Sequence, residues 1–175
     1  DLKKDGISPR AYPSSLKGDT ILVDSHEHNE YGRVTEDIEL RNSMVEKRQN
    51  KINKLIEEDL EEPEYYGKDD IDYLVLSWGS TYGPVLEAVE NLNDQGYNFG
   101  FLSFNDIWPL PKKYLKKHLS NDVKTIVIEN NSTSQFSKLL GSELQLKIDY
   151  KILKFDGRPF SYEEIEKRIS KEVIS

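Results

Sequence analysis

From residue 71 onward, short apolar runs alternate with stretches of helical periodicity, and this alternation restricts the chain more than any other feature. "YLVLSW" (73–78), "YNFGFLSF" (97–104), "KTIVIEN" (124–130) and "IDYKILKF" (148–155) are short and rich in aromatic and branched residues, which predicts strands. "TILVD" (20–24) predicts a fifth. Between the first two of these runs, Val85, Ala88, Val89 and Leu92 fall at i, i+3, i+4 and i+7, the pattern of one buried helical face. Pro84 stands in the first turn of that helix, where a missing N–H costs nothing. "WPLPKKYLKKHL" reads as a proline-delimited turn and short helix, "SQFSKLLGSEL" as a helix, and "SYEEIEKRISKEV" as a closing amphipathic helix. Such alternation predicts an α/β fold with a mainly parallel sheet covered on both faces.

The first part of the chain reads differently. Residues 1–19, rich in proline, glycine and serine, are expected to be a linker from an upstream domain, so that the chain is a piece of a longer protein. Residues 20–175 are expected to form one domain, with 25–70 as an excursion of loop and long helix. That helix is expected over about 35–58, with Thr35 as N-cap and Glu36 and Asp37 in the first turn, where carboxylates suit the dipole. Ile38, Val45 and Ile52 recur every seven residues, and Met44, Leu55 and Ile56 widen the stripe. The run is too short for a coiled coil, so a helix packed along a domain or partner is expected. "EEDLEEPEYYG", with Pro63 as breaker, is expected to be an exposed loop.

Charge and composition then exclude several function classes. The 32 acidic residues outnumber the 24 basic ones, for a net charge of −8, which argues against nucleic acid or an anionic membrane as partner. The chain has no cysteine, so it supplies no disulfide, thiolate zinc ligand, iron–sulfur ligand or cysteine nucleophile. No apolar stretch approaches the ~20 residues of a membrane helix, and no signal-peptide pattern opens the chain. A cytoplasmic protein is expected.

Candidate sites concentrate at two strand ends. The turn Gly79-Ser80-Thr81-Tyr82-Gly83 has glycines at both ends but neither dinucleotide nor P-loop spacing; amides at the following helix start suit an anion, and a tight turn needs the same residues. "ENNSTSQ" (129–135) lies between a strand and a helix, where open α/β sheets gather ligands, although Asn and Ser also cap helices. His26 and His28, with Glu27 and Glu30, have a spacing that places two imidazoles on one face of a strand, but the remaining histidine, His118, lies in another element and no metal site is assigned. His118 itself reads as a dipole-compensating or surface residue. Lys112, Lys113, Lys116 and Lys117 read as a solvated basic face.

Seven segments, "GISPRA", "DSHEHNEYGRVTED", "MVEKR", "WGSTYG", "WPLP", "ENNSTSQ" and "ILKFDGRPF", stand together in an order that resembles the alpha subunit of 2-oxoacid:ferredoxin oxidoreductases, notably the 2-oxoglutarate type. The resemblance runs from residue 5 to about 164. It implies a domain like the transketolase C-terminal domain, a three-layer α/β/α sandwich around a five-stranded, mainly parallel sheet. The sequence departs from the family at His26, where an acidic residue is usual, at Arg33, where a histidine is frequent, and at Ser134, where the family pattern E-N-N-x-T-G-Q-L has glycine.

For the full enzyme the resemblance implies oxidative decarboxylation of a 2-oxoacid with coenzyme A, giving acyl-coenzyme A and reduced ferredoxin. Thiamine diphosphate, magnesium and iron–sulfur clusters serve that reaction. No cofactor and no catalytic residue is expected in this chain, because Asn130-Asn131 lacks an upstream G-D-G at the spacing of the thiamine diphosphate motif. The implied partners are the remainder of the alpha subunit, the beta subunit, ferredoxin and coenzyme A. Gly79, Ser80, Thr81, Glu129, Asn130, Asn131, Thr133, Gln135 and Arg158 are the candidates for bordering a site or interface; Arg158 enters because its planar fork holds a carboxylate or phosphate. Two other readings stay open: a free-standing nucleotide- or coenzyme-binding α/β module, and an interaction domain whose long helix docks a partner.

Overall fold

In the computed structural model, residues 6–9, 11, 12, 14, 15, 17, 18, 24–115, 117–119 and 122–174 are described; the strand expected over 20–24 falls outside them except for Asp24. The chain divides at Leu60/Glu61 into two compact units.

In the second unit the apolar runs become strands. These are β1 (Glu64–Tyr66), β2 (Tyr73–Trp78), β3 (Phe99–Phe104), β4 (Lys124–Glu129) and β5 (Tyr150–Leu153). They form one sheet in the order β1-β3-β2-β4-β5. β2 pairs in parallel with β3 and β4, and β4 in parallel with β5, while β1 is antiparallel to β3. Because side chains alternate across a strand, β2 sends Val75 to one face and Leu74 and Leu76 to the other.

Helices close both faces. Val85, Ala88, Val89 and Leu92 of α2 (Tyr82–Asp94) pack with Ile165 and Ile169 of α5 (Tyr162–Ile169) over Val75, Phe99, Phe101, Ile126 and Ile128. Leu115 of α3 (Lys112–Leu115) and Phe136 and Leu140 of α4 (Gln135–Leu144) cover Leu74, Leu76, Leu102, Phe104 and Val127. The result is the expected three-layer α/β/α sandwich with a five-stranded, mainly parallel sheet.

Its edge strand is a correction. β1 forms within the acidic stretch expected to be an exposed loop, because its two half-buried tyrosines stack on distant rings. Tyr66 stacks on Phe101 with centroids 5.8 Å apart, and Tyr65 stacks on His118 at 4.2 Å. Gly100 makes room for Tyr65: a Cβ there would meet the Tyr65 hydroxyl and the Ile71 Cδ1, each at 2.8 Å. Three residues between Pro63 and Gly67 carry no readable period.

His118 is corrected with it. The ring is half-buried against Tyr65 and its Nε2 is buried without a hydrogen-bond partner. Burial holds its pKa below the ordinary imidazole range, and Lys117 adds to the effect. The neighbouring lysines are paired: Lys112 with Glu143 at 2.6 Å, and Lys117 with Glu62. Lys116 lies outside the described residues.

The first unit is built on α1 (Ile38–Lys54), prolonged by a π-helical turn, Leu55–Asp59. Asp37, not Thr35, is its N-cap, since the Asp37 carboxylate accepts the Leu40 N–H at 2.7 Å. The Thr35 hydroxyl instead accepts the Asp37 N–H at 3.2 Å, two residues too early to cap. Residues 27–35 fold back on themselves, with His28 bridging Val34 and the Asn29 side chain accepting from Tyr31 and Arg33. The fold-back presents Glu27, between the two histidines, to Arg48, whose guanidinium donates to both carboxylate oxygens at 3.2 and 2.8 Å. Glu27, the carboxylate between the imidazoles, thus ties this stretch to α1 through Arg48 and Arg41.

Candidate functional site

Crossovers leave the central strand in opposite directions: β2 connects through α2 to β3 on one side, and the chain then returns past β2 to β4 on the other. The connections diverge at the carboxyl ends of β2 and β4, which is where open α/β sheets form their crevices. Both candidate stretches start there, at Gly79 and Asn130, and the 154–161 connection bearing Arg158 follows on the next strand, β5.

The 79–81 turn is a single 3₁₀ turn closed from within. Gly79 has φ +63°, a left-handed geometry that glycine takes without penalty. The Thr81 hydroxyl is buried, donates to the Trp78 carbonyl at 2.8 Å and bonds the Ser77 hydroxyl. Gly79 and Ser80 stay exposed. Thr81 therefore builds the turn, while Gly79 and Ser80 are the parts of it that another molecule can touch.

The 129–135 stretch is organised around a buried carboxylate. Glu129, at the end of β4, is only 1% exposed. One of its oxygens accepts the Phe136 N–H at 2.8 Å and the Asn131 amide at 2.7 Å. The other accepts the Ser137 N–H at 3.0 Å and the Ser134 hydroxyl at 3.3 Å. The first turn of a helix leaves N–H groups unpaired, and Glu129 satisfies two of them from outside the helix. Asn131 turns its carbonyl oxygen on the N–H groups of Thr133 and Gln135, both at 3.2 Å. Ser134 is held at φ +53°, ψ +54°, which accounts for the family glycine at this position.

Asn130, Thr133 and Gln135 are exposed, and the Asn130 amide reaches the Arg158 carbonyl at 3.5 Å. Arg158 is also exposed; its Nε donates to Asp156 at 3.0 Å and its Nη2 to the same oxygen. Those hydrogen bonds hold the Asp156 carboxyl below the usual carboxylate range.

The fold thus sorts the nine candidates. Glu129, Thr81 and, through its amide bonds, Asn131 build the loops; Gly79, Ser80, Asn130, Thr133, Gln135 and Arg158 form their outer surface. Along the same sheet edge stand exposed aromatic residues that sequence reading did not single out, Trp108 in the connection after β3 and Phe155 in the one after β5, beside the partly exposed Trp78. "WPLP" and "ILKFDGRPF" contained them, but no period separates an exposed aromatic from a core one.

The residues present do not fit thiamine diphosphate with magnesium. Among the described residues no three of His, Asp and Glu converge, and both ends of the Asn131 amide are spent on Glu129 and the loop backbone. With no cysteine, the chain offers no iron–sulfur ligand either. No helix among the described residues is long and apolar enough to cross a membrane.

The pattern of pyruvate:ferredoxin oxidoreductase core domain II matches residues 71–165. The chain is 36% identical over 167 residues to 2-oxoacid:ferredoxin oxidoreductase 2, subunit alpha, of Aeropyrum pernix, covering 93% of this chain and 25% of that one. It is 33% identical over 172 residues to the 2-oxoacid:ferredoxin oxidoreductase 1 alpha subunit of Sulfurisphaera tokodaii, covering 97% and 26%. Among solved structures it resembles the 2-oxoglutarate:ferredoxin oxidoreductase of Magnetococcus marinus, with 2-oxoglutarate, coenzyme A and succinyl-CoA bound. There the TM-score is 0.80 at 28% identity, over 98% of this chain and 30% of that chain. The chain spans about a quarter of the length of the curated relatives it matches.

Proposed function

The chain belongs to the pyruvate:ferredoxin oxidoreductase core domain II family, and from that premise we propose that it is the C-terminal domain of the alpha subunit of a cytoplasmic 2-oxoglutarate:ferredoxin oxidoreductase. In this reading residues 1–19 lead in from the preceding domain and 20–175 form the domain itself, with 25–70 as its excursion. The full enzyme decarboxylates the 2-oxoacid, passes the acyl group to coenzyme A and hands two electrons, singly, to ferredoxin. Thiamine diphosphate and iron–sulfur clusters supply that chemistry from the remainder of the alpha subunit and the beta subunit.

This domain's part is to hold subunits together and to border the active site with one sheet edge. The observation that carries the reading is the division of labour at that edge. Glu129, Thr81 and Asn131 spend their polar groups on fixing the loops, leaving an outer surface of Trp78, Trp108, Phe155, Asn130 and Arg158. Rigid loops bearing aromatics and an arginine suit protein contact, where such residues dominate binding. Preference for 2-oxoglutarate rests on the family segments and on the likeness to the Magnetococcus marinus enzyme.

The test is made on the full alpha subunit co-expressed with the beta subunit. Ferredoxin reduction is expected with 2-oxoglutarate at a higher kcat/KM than with pyruvate. Trp78→Ala and Trp108→Ala are expected to weaken recovery of the complex at least about tenfold. Unchanged assembly and an unchanged KM for coenzyme A in both variants would remove the edge from the interface. A pyruvate preference would overturn only the substrate assignment.

A further inference from the structure

The connection after β5 holds a reactive peptide unit. Asp156 is followed by Gly157, which is exposed, sits at φ +83° and has nothing within 4 Å of the place a Cβ would take. With no side chain to shield it, the Gly157 nitrogen is open to the carboxyl of the residue before it. That carboxyl is exposed as well, and Arg158 holds both of its oxygens. Oδ1 accepts the Arg158 backbone N–H at 3.0 Å, and Oδ2 accepts Nε at 3.0 Å together with Nη2. Asp-Gly occurs twice in the sequence, and the other instance, Asp5-Gly6, is followed by Ile7 instead of an arginine.

An aspartate before glycine can cyclise. The Gly157 nitrogen bonds the Asp156 Cγ, and the carboxyl hydroxyl leaves with the nitrogen's proton as water, giving a succinimide. Water then opens the ring. Attack at Cγ restores aspartate, while attack at the main-chain carbonyl carbon leaves isoaspartate, with the backbone routed through the side chain and no net change in atoms or electrons. Closure needs a neutral carboxyl, because an ionised one has no hydroxyl to lose, and it needs Cγ to swing onto the nitrogen. Arg158 opposes both. Its side-chain bonds, and then its N–H, hold the Asp156 carboxyl below the usual carboxylate range, with Lys154 adding a smaller pull. The same three bonds keep the two oxygens turned onto residue 158. The remaining charge nearby is Glu164, which pairs with Lys154 and also faces Arg158.

We propose that Asp156-Gly157 is a site of spontaneous isoaspartate formation and that the Arg158 fork is the guard that keeps it as aspartate. Isomerisation lengthens the main chain by one methylene and moves the carboxylate to a new branch point. The turn from Oδ1 to the Arg158 N–H and the clamp on Oδ2 are then lost together. The Asn130 amide, which reaches the Arg158 carbonyl at 3.5 Å, loses its register with them. The guard is itself exposed, so a carboxylate or phosphate that captures the guanidinium releases Asp156 and opens the route. This inference stands on the connection's own chemistry and does not depend on the family reading.

The experiment ages the 175-residue chain and its Arg158→Ala variant side by side at neutral pH. Isoaspartate at each Asp-Gly is then quantified by electron-transfer fragmentation of the digested peptides. Arg158→Ala is expected to accumulate isoaspartate at Asp156 at least about twofold faster, with the rate at Asp5 unchanged. Arg158→Met, which keeps the stem and removes the fork, is expected to give the same acceleration. A synthetic peptide of residues 153–160, in which no fold holds the fork, is expected to isomerise faster than the intact chain and to ignore the Arg158→Ala change. Equal rates at Asp156 in the chain and both variants overturn the proposal, as does the absence of isoaspartate there in all three. An equal acceleration in the peptide would assign the effect to the neighbouring side chain and overturn the guard. Unfolding midpoints are taken on the same samples, and acceleration confined to variants with a lowered midpoint overturns it too.

Discussion

The carboxylate of Glu129 accepts the backbone N–H of Phe136 at 2.8 Å, so the last residue of β4 caps the helix that follows it. The same group accepts the Ser137 N–H at 3.0 Å while 1% exposed. Glu129→Gln turns one acceptor oxygen into a donor and sets it against a helix N–H with no water to replace the bond. The expected loss is about 2–3 kcal/mol in denaturant unfolding. A loss below about 0.5 kcal/mol would mean that the loop does not depend on this carboxylate.

Ser134 pays for a left-handed backbone with one weak bond, its hydroxyl reaching Glu129 at 3.3 Å. Ser134→Gly removes the backbone strain and that bond together, so the net change is expected to stay within about 1 kcal/mol. Ser134→Val keeps the strain, adds a branched Cβ where φ is positive and is expected to cost about 2 kcal/mol or more. Urea unfolding of the two variants separates them; equal stability would contradict the left-handed geometry.

Those two residues show where sequence reading succeeds and where it stops. β2, β3, β4, β5, α2 and α4 are legible because their apolar period repeats over several residues, and Val85, Ala88, Val89 and Leu92 are buried as their spacing demands. β1 is not legible: Tyr65 and Tyr66 owe their strand to Phe101, Gly100 and His118, all distant in sequence. At the strand ends the residue types gave the location of the loops but not the orientation of their side chains. Glu129 and Thr81 looked as available as Asn130, and only the backbone path turns the first two inward.

Gly67 has φ +132°, and a Cβ on it would lie 2.9 Å from the Gly100 Cα and 2.9 Å from the Phe99 carbonyl. Both obstacles are backbone, so neither can swing aside. Gly67→Ala is expected to destabilise the chain by about 2–3 kcal/mol and to speed amide exchange first at residues 64–66, whose antiparallel register on β3 it disturbs. Retention of wild-type exchange there would show that the turn relaxes freely.

His118 gives the fold a dependence on pH. Burial and Lys117 push its folded-state pKa down, while Glu62 and Asp69 pull weakly the other way. A folded pKa below the unfolded value means that the unfolded chain takes up the proton first as pH falls. This residue's contribution is therefore complete above about pH 6.5 and declines as pH drops below it. His118→Phe keeps the ring on Tyr65 and removes the unpartnered Nε2. It is expected to raise stability by about 1 kcal/mol and to flatten the slope between about pH 7 and pH 5.5. A slope that survives the substitution would assign it to other groups.

Arg158 supplies the sharpest separation of folding from assembly. Its guanidinium is exposed and its partner, Asp156, is two residues away on the same connection, so the pair crosses no packing boundary. Exposed pairs of this kind contribute little to folding, and Arg158→Ala is expected to leave the unfolding midpoint of the 175-residue chain unchanged. In the assembled enzyme the same variant is expected to raise the KM for coenzyme A or weaken the subunit complex. Arg158→Lys then distinguishes the cause: a lysine restores a point charge but not the planar fork, so rescue signals charge alone and failure signals bidentate contact. Asp156 already occupies the fork, and an incoming carboxylate or phosphate must displace it. Asp156→Asn removes that competitor and is expected to shift affinity in the opposite direction to Arg158→Ala. If both substitutions move affinity the same way, the aspartate orients the arginine rather than competing for it.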